Sequence, residues 1–442
     1  MEGNKIGIWG FGVVGKSAVS FFKSNNQIEV LDEKFSSEDT EYLTKQAITT
    51  FNSSNLINFL EQNNQIIPSP GINLNKYKAY EHKWKVETDI FQEYFQGKKI
   101  AITGTAGKTS VTTILQEIMK QNGINSMAGG NIGLGMLDLI KQPIDSAVLE
   151  LSSFQLEYSK KFAPNIAIIT NFFPNHLDRH ETEENYFNAK LNILSHQTSN
   201  QIALVPAELV DKISPHTQAK IYSFAASKHY SPRTAGQFFI EDNFITMASE
   251  IETIKLIHVD KLPTNTFLQN WVTITAALHL QKMSVENCIA QTNFEKIELE
   301  HRLEKVATIN GITFYNDSKS TTIDSTLAAV NKFKDAKVTL VLGGLSKGVN
   351  REILIEQIKN KVQNIYCFGG ESDQLINFCI KQNANCLKFD TLEEIIKFSI
   401  ENLSTDTILL FSPAGSSFDL FKNYIERGIR FKELVKKYEQ KK

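Results

Sequence analysis

Residues 98–119 read KKIAITGTAGKTSVTTILQEIM. A short apolar run ends at Thr103, a turn through Gly104 and Gly107 follows, and then Val111, Ile114, Leu115, Ile118 and Met119 recur at helical spacing. A strand that turns through glycines straight into a helix aims the helix's unpaired N–H groups at whatever lies over the turn, and such a turn suits an anion. Residues 5–22, KIGIWGFGVVGKSAVSFF, repeat the recipe. Strand-like runs alternate with helical periods along most of the chain, which predicts an α/β protein with mainly parallel sheets.

From this alternation three units are expected. Residues 1–92 carry strands at KIGIW, IEVLD and QIIPSPG. VETDIFQEYFQGKK reads as a connecting helix and a fresh start, so a second unit covers 93–297, with further buried strands at SAVLEL and NIAIITN. Its stretch 200–265 is rich in short strand signals and polar turns and predicts a small antiparallel addition. The third unit, 298–442, has strands at VTLVLGG, NIYCFGG and TILLFSPAG and closes on the charged amphipathic helix FKNYIERGIRFKELVKKY. Ligands in such folds sit beyond the carboxyl ends of strands and often between domains, so the polar residues just after each strand matter most.

Composition narrows the function. The chain has 442 residues, 41% hydrophobic and 22% charged, with a formal net charge of −2. That balance gives no electrostatic footprint for nucleic acid. No run of 18 apolar residues occurs, so no membrane span is expected, and the N-terminus shows no signal peptide. Cys288, Cys367, Cys379 and Cys386 follow neither zinc spacing nor a disulfide framework and read as free thiols of a reducing cytoplasm. Lysine outnumbers arginine 41 to 6, so each arginine carries more weight.

The first loop, Gly10-Phe-Gly12-Val13-Val14-Gly15, is a complete G-x-G-x-x-G, and Asp32 ends the next strand 20 residues after Gly12. That is a dinucleotide fingerprint, the acid placed to meet a ribose hydroxyl. NAD(P), another nucleotide and a purely structural tight turn all remain open for it. The second loop, Gly104-Thr105-Ala-Gly107-Lys108-Thr109-Ser110, is chemically richer. Lys108 is placed to neutralise phosphate charge and the Thr109 hydroxyl to meet Mg2+, although Ile102 stands where the strict P-loop pattern has glycine. The second loop is therefore the better seat for a reactive phosphate, which argues against an oxidoreductase. The two readings are reconciled if the first unit holds a nucleotide-tagged substrate and the second supplies ATP.

Other polar residues gather after strands. Glu150 ends SAVLE, and a buried carboxylate there calls for a partner or a metal. TNFFPNHLDRHETEENYFNAKLNIL places His176, Asp178, Arg179 and His180 behind a strand, with Lys190 on the next helix; taken alone, Lys190 reads as a solvated helix lysine. In the third unit, Asn316-Asp317-Ser318-Lys319-Ser320-Thr321, Lys347 after a glycine pair, and Ser416-Ser417 form a mixed-charge, hydroxyl-rich set that suits an amino acid.

Together GTAGKTS, GGNIG, LELSSFQLE, NHLDRH with YFNAKLNI, HRLE, NDSKST and SPAGSSFDLFKNYIERG resemble the Mur ligase family across the whole chain, and LELSSFQLE and the last motif resemble its D-glutamate-adding branch. The resemblance implies a Rossmann-like N-terminal domain that grips UDP rather than NAD, a central P-loop ATPase α/β domain and a Rossmann-like C-terminal domain. It implies that Gly12, Val13, Val14, Gly15, Asp32, Ser69, Gly71, Asn131 and His176 contact the UDP substrate. Gly104, Thr105, Gly107, Lys108, Thr109, Ser110, Asn270, Arg302 and Asp317 fall at ATP-contacting positions. Two Mg2+ sites, open also to Mn2+, are implied at Thr109, Glu150, His176 and Lys190, the last carbamylated. Lys108, Glu150, His176, Lys190 and Lys319 are the implied catalytic set, and Thr321, Lys347, Ser417 and Tyr424 the implied D-glutamate site. Asn175 stands where an acid is common, and Tyr424 where an apolar aromatic is usual. The implied reaction is ATP-dependent addition of D-glutamate to UDP-N-acetylmuramoyl-L-alanine by a cytoplasmic monomer in cell-wall precursor synthesis. Another muramyl-peptide ligase or a folylpolyglutamate synthase is the nearest alternative within the family.

Overall fold

The computed structural model describes residues 5–229, 231–263, 266–294, 297, 301–333 and 335–439. The chain divides into two compact units, Met1–Phe172 with Phe187–Ile297, and Phe173–Tyr186 with Glu298–Lys442.

The first unit holds two of the three sheets formed by the described residues. The smaller has the order β3-β2-β1-β4, all parallel, from β1 (Lys5–Trp9), β2 (Gln27–Leu31), β3 (Thr49–Phe51) and β4 (Gln65–Pro68). The larger runs β13-β12-β11-β10-β9-β8-β5-β7-β6. Its parallel body comprises β5 (Lys98–Thr103), β6 (Ser126–Gly130), β7 (Ser146–Glu150), β8 (Ile166–Ile169), β9 (Ile202–Pro206), β10 (Lys220–Phe224) and β11 (Gly236–Glu241). β12 (Phe244–Ala248) and β13 (Thr253–His258) continue it antiparallel. The antiparallel addition expected within 200–265 is thus the edge of the main sheet.

β5, β7 and β8 are nearly continuous apolar runs because helices cover both faces of a parallel sheet. The helix Lys108–Gln121 buries Val111, Ile114, Leu115, Ile118 and Met119 completely. At about 1.5–3 kcal/mol for each such side chain, that stripe fixes the helix, and with it the loop at its start. The helix Glu87–Tyr94 joins the two sheets. Its Asp89 accepts from Ser159 Oγ and from the N–H groups of Lys160 and Lys161, and its Glu87 Oε1 accepts from Met136 N at 3.0 Å.

The second unit is built on a sheet of order β14-β15-β19-β16-β17-β18: β14 (Glu304–Ile309), β15 (Ile312–Asn316), β16 (Lys337–Leu342), β17 (Asn364–Cys367), β18 (Cys386–Lys388) and β19 (Thr407–Phe411). All its pairs are parallel except β14 with β15. The helix Tyr424–Glu439 packs Phe431, Leu434 and Val435 onto one face of it.

Candidate active site

The second glycine loop is a tight cradle. Gly104 has φ 142 and Gly107, which caps the helix Lys108–Gln121, has φ 81. A Cβ on Gly104 would lie 2.0 Å from Thr170 Oγ1, and one on Gly107 2.6 Å from Asn270 Oδ1, so both positions need glycine for backbone and for space. Asn171 Oδ1 accepts from Thr105 N at 3.1 Å and Ala106 N at 2.8 Å, while Thr170 Oγ1 donates to Ala106 O at 2.6 Å. This polar pair just past β8 shapes the loop, a role the sequence reading missed although Thr170 and Asn171 close the strand signal it used. Ser110 is buried behind the loop.

Charge then gathers on the cradle. Lys108 Nζ folds back to donate to Gly104 O at 2.8 Å and Thr105 O at 3.0 Å. Thr109 Oγ1 donates to Glu150 Oε2 at 2.6 Å. The other carboxylate oxygen accepts from Asn131 Nδ2 at 2.8 Å, so Glu150, only 1% exposed, is held from both sides. Lys190 is also buried, and its Nζ donates to Gly104 O at 2.9 Å. Burial, reinforced by repulsion from Lys108, pushes its pKa well below the ordinary lysine value, with Glu150 opposing. The reading of Lys190 as a solvated lysine is therefore wrong for this fold.

The first loop is built differently. A Cβ on Gly15 would lie 2.0 Å from Gly10 O, whereas Gly12 and Gly71 face open space. Asp32 Oδ2 accepts from Phe11 N at 2.5 Å and Oδ1 from Lys34 N at 3.2 Å. The fingerprint acid thus braces the loop's own backbone. Ser69 Oγ donates to Gly10 O at 3.1 Å, and Val13, where the helix begins, is 68% exposed. Val14 follows on the first turn of that helix.

In the second unit, Asp317 is buried just past β15 and accepts from Ser412 Oγ at 2.7 Å and Leu303 N at 3.2 Å. Burial raises its pKa to about 6 against the pull of the Arg302 charge. Lys319 Nζ sits 5.0 Å from the Tyr424 ring centroid, a cation–π distance. Lys347, at φ 55, has its Nζ 3.5 Å from Thr321 Oγ1, and Ser417 is buried. Two buried arginines tie these loops together. Arg427 donates to Ser318 O at 2.7 Å and Gly415 O at 3.0 Å, and Arg351 to Gly343 O at 2.9 Å, Gly344 O at 3.1 Å and Glu371 Oε2 at 2.7 Å. The sequence reading did not single out either residue; the scarcity of arginine was the available signal.

The structure therefore brings together Lys108, Thr109, Asn131, Glu150 and Lys190 in one unit, and pairs Lys347 with Thr321 and Lys319 with Tyr424 in the other. His176, at φ 55 ahead of the short helix Leu177–His180, belongs to the second unit, with its ring 6.1 Å from that of Tyr186. Oxygen donors from Thr109 and Glu150 suit a hard divalent cation, which often takes only one or two protein carboxylates beside phosphate oxygens. A Lys190 ammonium does not suit one; the same nitrogen carrying a carbamate would.

Three family models match in chain order: the Mur ligase MurD-like N-terminal domain over residues 4–84, the Mur ligase middle domain over 102–278, and the Mur ligase glutamate ligase domain over 301–415. The UDP-N-acetylmuramoylalanine–D-glutamate ligase of Acidobacterium capsulatum is 30% identical, covering 98% of this chain and 96% of its own. The enzyme of the same name from Caldicellulosiruptor saccharolyticus is 30% identical over 98% of both chains. Among solved structures, the MurF ligase of Thermotoga maritima in complex with ADP matches with a TM-score of 0.60 at 17% identity, covering 94% of this chain and 95% of that one, a likeness of fold. With identity at this level sustained end to end, the chain belongs to the Mur ligase family.

Proposed function

We propose that this chain is an ATP-dependent amide ligase that joins D-glutamate to UDP-N-acetylmuramoyl-L-alanine in the cytoplasmic synthesis of peptidoglycan precursors, with domains at 1–92, 93–297 and 298–442 for the UDP end, ATP and the amino acid. The observation that carries the reading is the buried Glu150 carboxylate bonded to Thr109 at 2.6 Å beside the Lys108 loop. A P-loop serine or threonine hydroxyl next to a strand-end carboxylate is the pairing that nucleoside-triphosphate sites use.

The chemistry follows from charge. The alanyl carboxylate of the substrate attacks the γ-phosphoryl of ATP, and ADP leaves an acyl phosphate. The amine of D-glutamate then attacks the acyl carbon, and phosphate leaves. Two anions must meet in the first step, so Lys108 unfolds from its loop carbonyls to cover phosphate charge. Thr109, Glu150 and a carbamylated Lys190 would hold Mg2+, which when bound supplies further charge neutralisation. The lowered pKa of Lys190 supports this, because only an uncharged amine takes up CO2. For His176 the assignment rests on the family resemblance. Asn131, which orients Glu150, and the loop residues Gly12 to Gly15, Asp32, Ser69 and Gly71 serve the UDP substrate. Asn270, against Gly107, and Arg302 with Asp317 serve the nucleoside. Lys347 with Thr321, and Ser417 with Tyr424, take the two carboxylates of D-glutamate, and Lys319 acts beside them.

The test is phosphate release from ATP in the presence of UDP-N-acetylmuramoyl-L-alanine, comparing D-glutamate with L-glutamate, L-lysine and D-alanyl-D-alanine. Release that depends on D-glutamate alone is expected. Equal release with L-lysine or the dipeptide would overturn the substrate assignment, and no release with any amino acid would overturn the reaction.

A further inference from the structure

Three of the four cysteines meet, far along the chain from the P-loop. β17 and β18 are parallel, with Ile365 beside Cys386 and Cys367 beside Lys388. Paired strand residues project to the same face and alternate along the strand, so Cys367 and Cys386 project to one face. The helix Ser372–Lys381 covers that face. Its Cys379 shares a core cluster with Cys367, Ile365 and Leu375, and Cys386 packs against the same cluster. Cys379 thus lies in one cluster with both other thiols. Cys367 and Cys379 are fully buried, whereas Cys386 is partly exposed. All are free thiols, as is Cys288, which is buried in the other unit. Among the described residues, no three His, Cys, Asp or Glu side chains are arranged to hold a metal ion.

We propose that this trio is a redox modification site: the partly exposed Cys386 reacts with an oxidised low-molecular-weight disulfide, and Cys379 resolves the product into a Cys379–Cys386 bond. In the first step the Cys386 sulfur attacks one sulfur of RSSR, forming Cys386–S–S–R and releasing RSH. In the second the Cys379 sulfur attacks Cys386, the bond to R breaks, and a second RSH leaves. Two protein thiols are oxidised and one external disulfide is reduced to two thiols.

The environment sets this order. Interaction with the Cys367 thiol holds Cys379 below the ordinary thiol range, but burial shuts it off from solvent, so it acts second. Burial pushes Cys386 up to about 11, so its first exchange is slow and accelerates with rising pH. Cys367, raised by its interaction with Cys379 and by burial, keeps its proton. A transient disulfide of this kind is compatible with a reducing compartment, where stable ones are rare.

The test incubates the full chain with oxidised glutathione at several pH values, counts free thiols and maps disulfides without reduction. The wild type should lose two thiols, yield a Cys379–Cys386 linked peptide, react faster at higher pH and recover with reduced glutathione. Cys379→Ser should stop at a glutathione adduct on Cys386, and Cys386→Ser should keep its thiols. A wild type that stops at the adduct, that links Cys367 instead, or that loses no thiol overturns the proposal. So does a Cys386→Ser variant oxidised as fast as the wild type. The wild-type map decides the matter even if a variant fails to fold.

Discussion

The two glycine loops of the first unit start from one local recipe and end as different objects. Around Gly104–Thr109 the neighbouring strand β7 delivers Glu150 to Thr109, while Lys108 from the loop's own helix and Lys190 from the helix Glu183–Leu191 reach the same carbonyl, Gly104 O. Around Gly10–Gly15 the neighbouring strand delivers Asp32, which accepts from the loop's own Phe11 N, and Lys16 pairs outward with Asp39 at 2.6 Å. Glycine spacing makes a place where backbone can approach an anion; the side chains from adjacent elements decide whether a phosphoryl group can react there. A lone G-x-G-x-x-G is therefore a statement about shape.

The comparison breaks first if Lys108 is dispensable. Lys108→Ala should lower ATP-dependent turnover by about 10³-fold or more, the scale on which a phosphate-facing cation acts. Binding of the UDP substrate, measured by calorimetry, should stay near the wild-type value, because that site draws on the first loop. A variant that turns over normally would reduce the second loop to shape as well. Lys190→Ala comes next, with a loss of order 10²-fold and partial recovery on adding a short carboxylic acid. Rescue would show that a carboxylate-like group is needed where the buried amine stands; full activity without rescue would sink the carbamate.

Much of this was legible in the sequence because strands in a parallel α/β sheet are bounded by their turns. KIGIW, SAVLE and NIAII announce β1, β7 and β8 almost to the residue. Lys108, Thr109 and Glu150 were found because strand ends point to them: Glu150 closes β7, and Lys108 and Thr109 open the helix after the turn that follows β5. Lys190 was misread from the residues alone because a helix position does not reveal its solvent exposure; only the family resemblance corrected it. Arg351 and Arg427, both 1% exposed, were missed because their partners, the carbonyls of Ser318, Gly343, Gly344 and Gly415 and the Glu371 carboxylate, are set by how the loops fold and not by any motif in the chain. The meeting of Cys367, Cys379 and Cys386 was hidden for a related reason: strand pairing and a helix crossing bring them together, and no spacing in the chain encodes it.

The first loop makes its own claim on stability. In Gly15→Ala the new methyl would sit 2.0 Å from Gly10 O, and both groups are fixed by backbone. The cost should reach or exceed about 3 kcal/mol, the upper end of overpacking penalties, read as a lowered midpoint in urea. An alanine tolerated within about 1 kcal/mol would mean that the turn has slack and that its glycine is there for a ligand rather than for packing.

The smallest effect concerns the helix that joins the two loop-bearing sheets. Glu87 on that helix is buried, and desolvation raises its pKa from the ordinary 4.5 to about 7 despite its bond from Met136 N, with the Asp138 charge adding to the rise. Below about pH 4.5 the carboxyl is neutral both folded and unfolded, and it adds no cost. As pH rises from there to about 7 the unfolded chain sheds its proton while the folded chain must keep it or bury a charge, so stability falls across that window and levels off above it. A shift from 4.5 to about 7 corresponds to at most about 3 kcal/mol at 1.36 kcal/mol per unit, and less where the site relaxes. Glu87→Gln keeps an acceptor for Met136 N without the charge, so its melting temperature should draw ahead of the wild type between pH 5 and 7 and hold that lead at pH 8. Parallel melting profiles across the range would mean that the junction already solvates the carboxylate, and that the two sheets are joined through a wetter seam than the burial of Glu87 indicates.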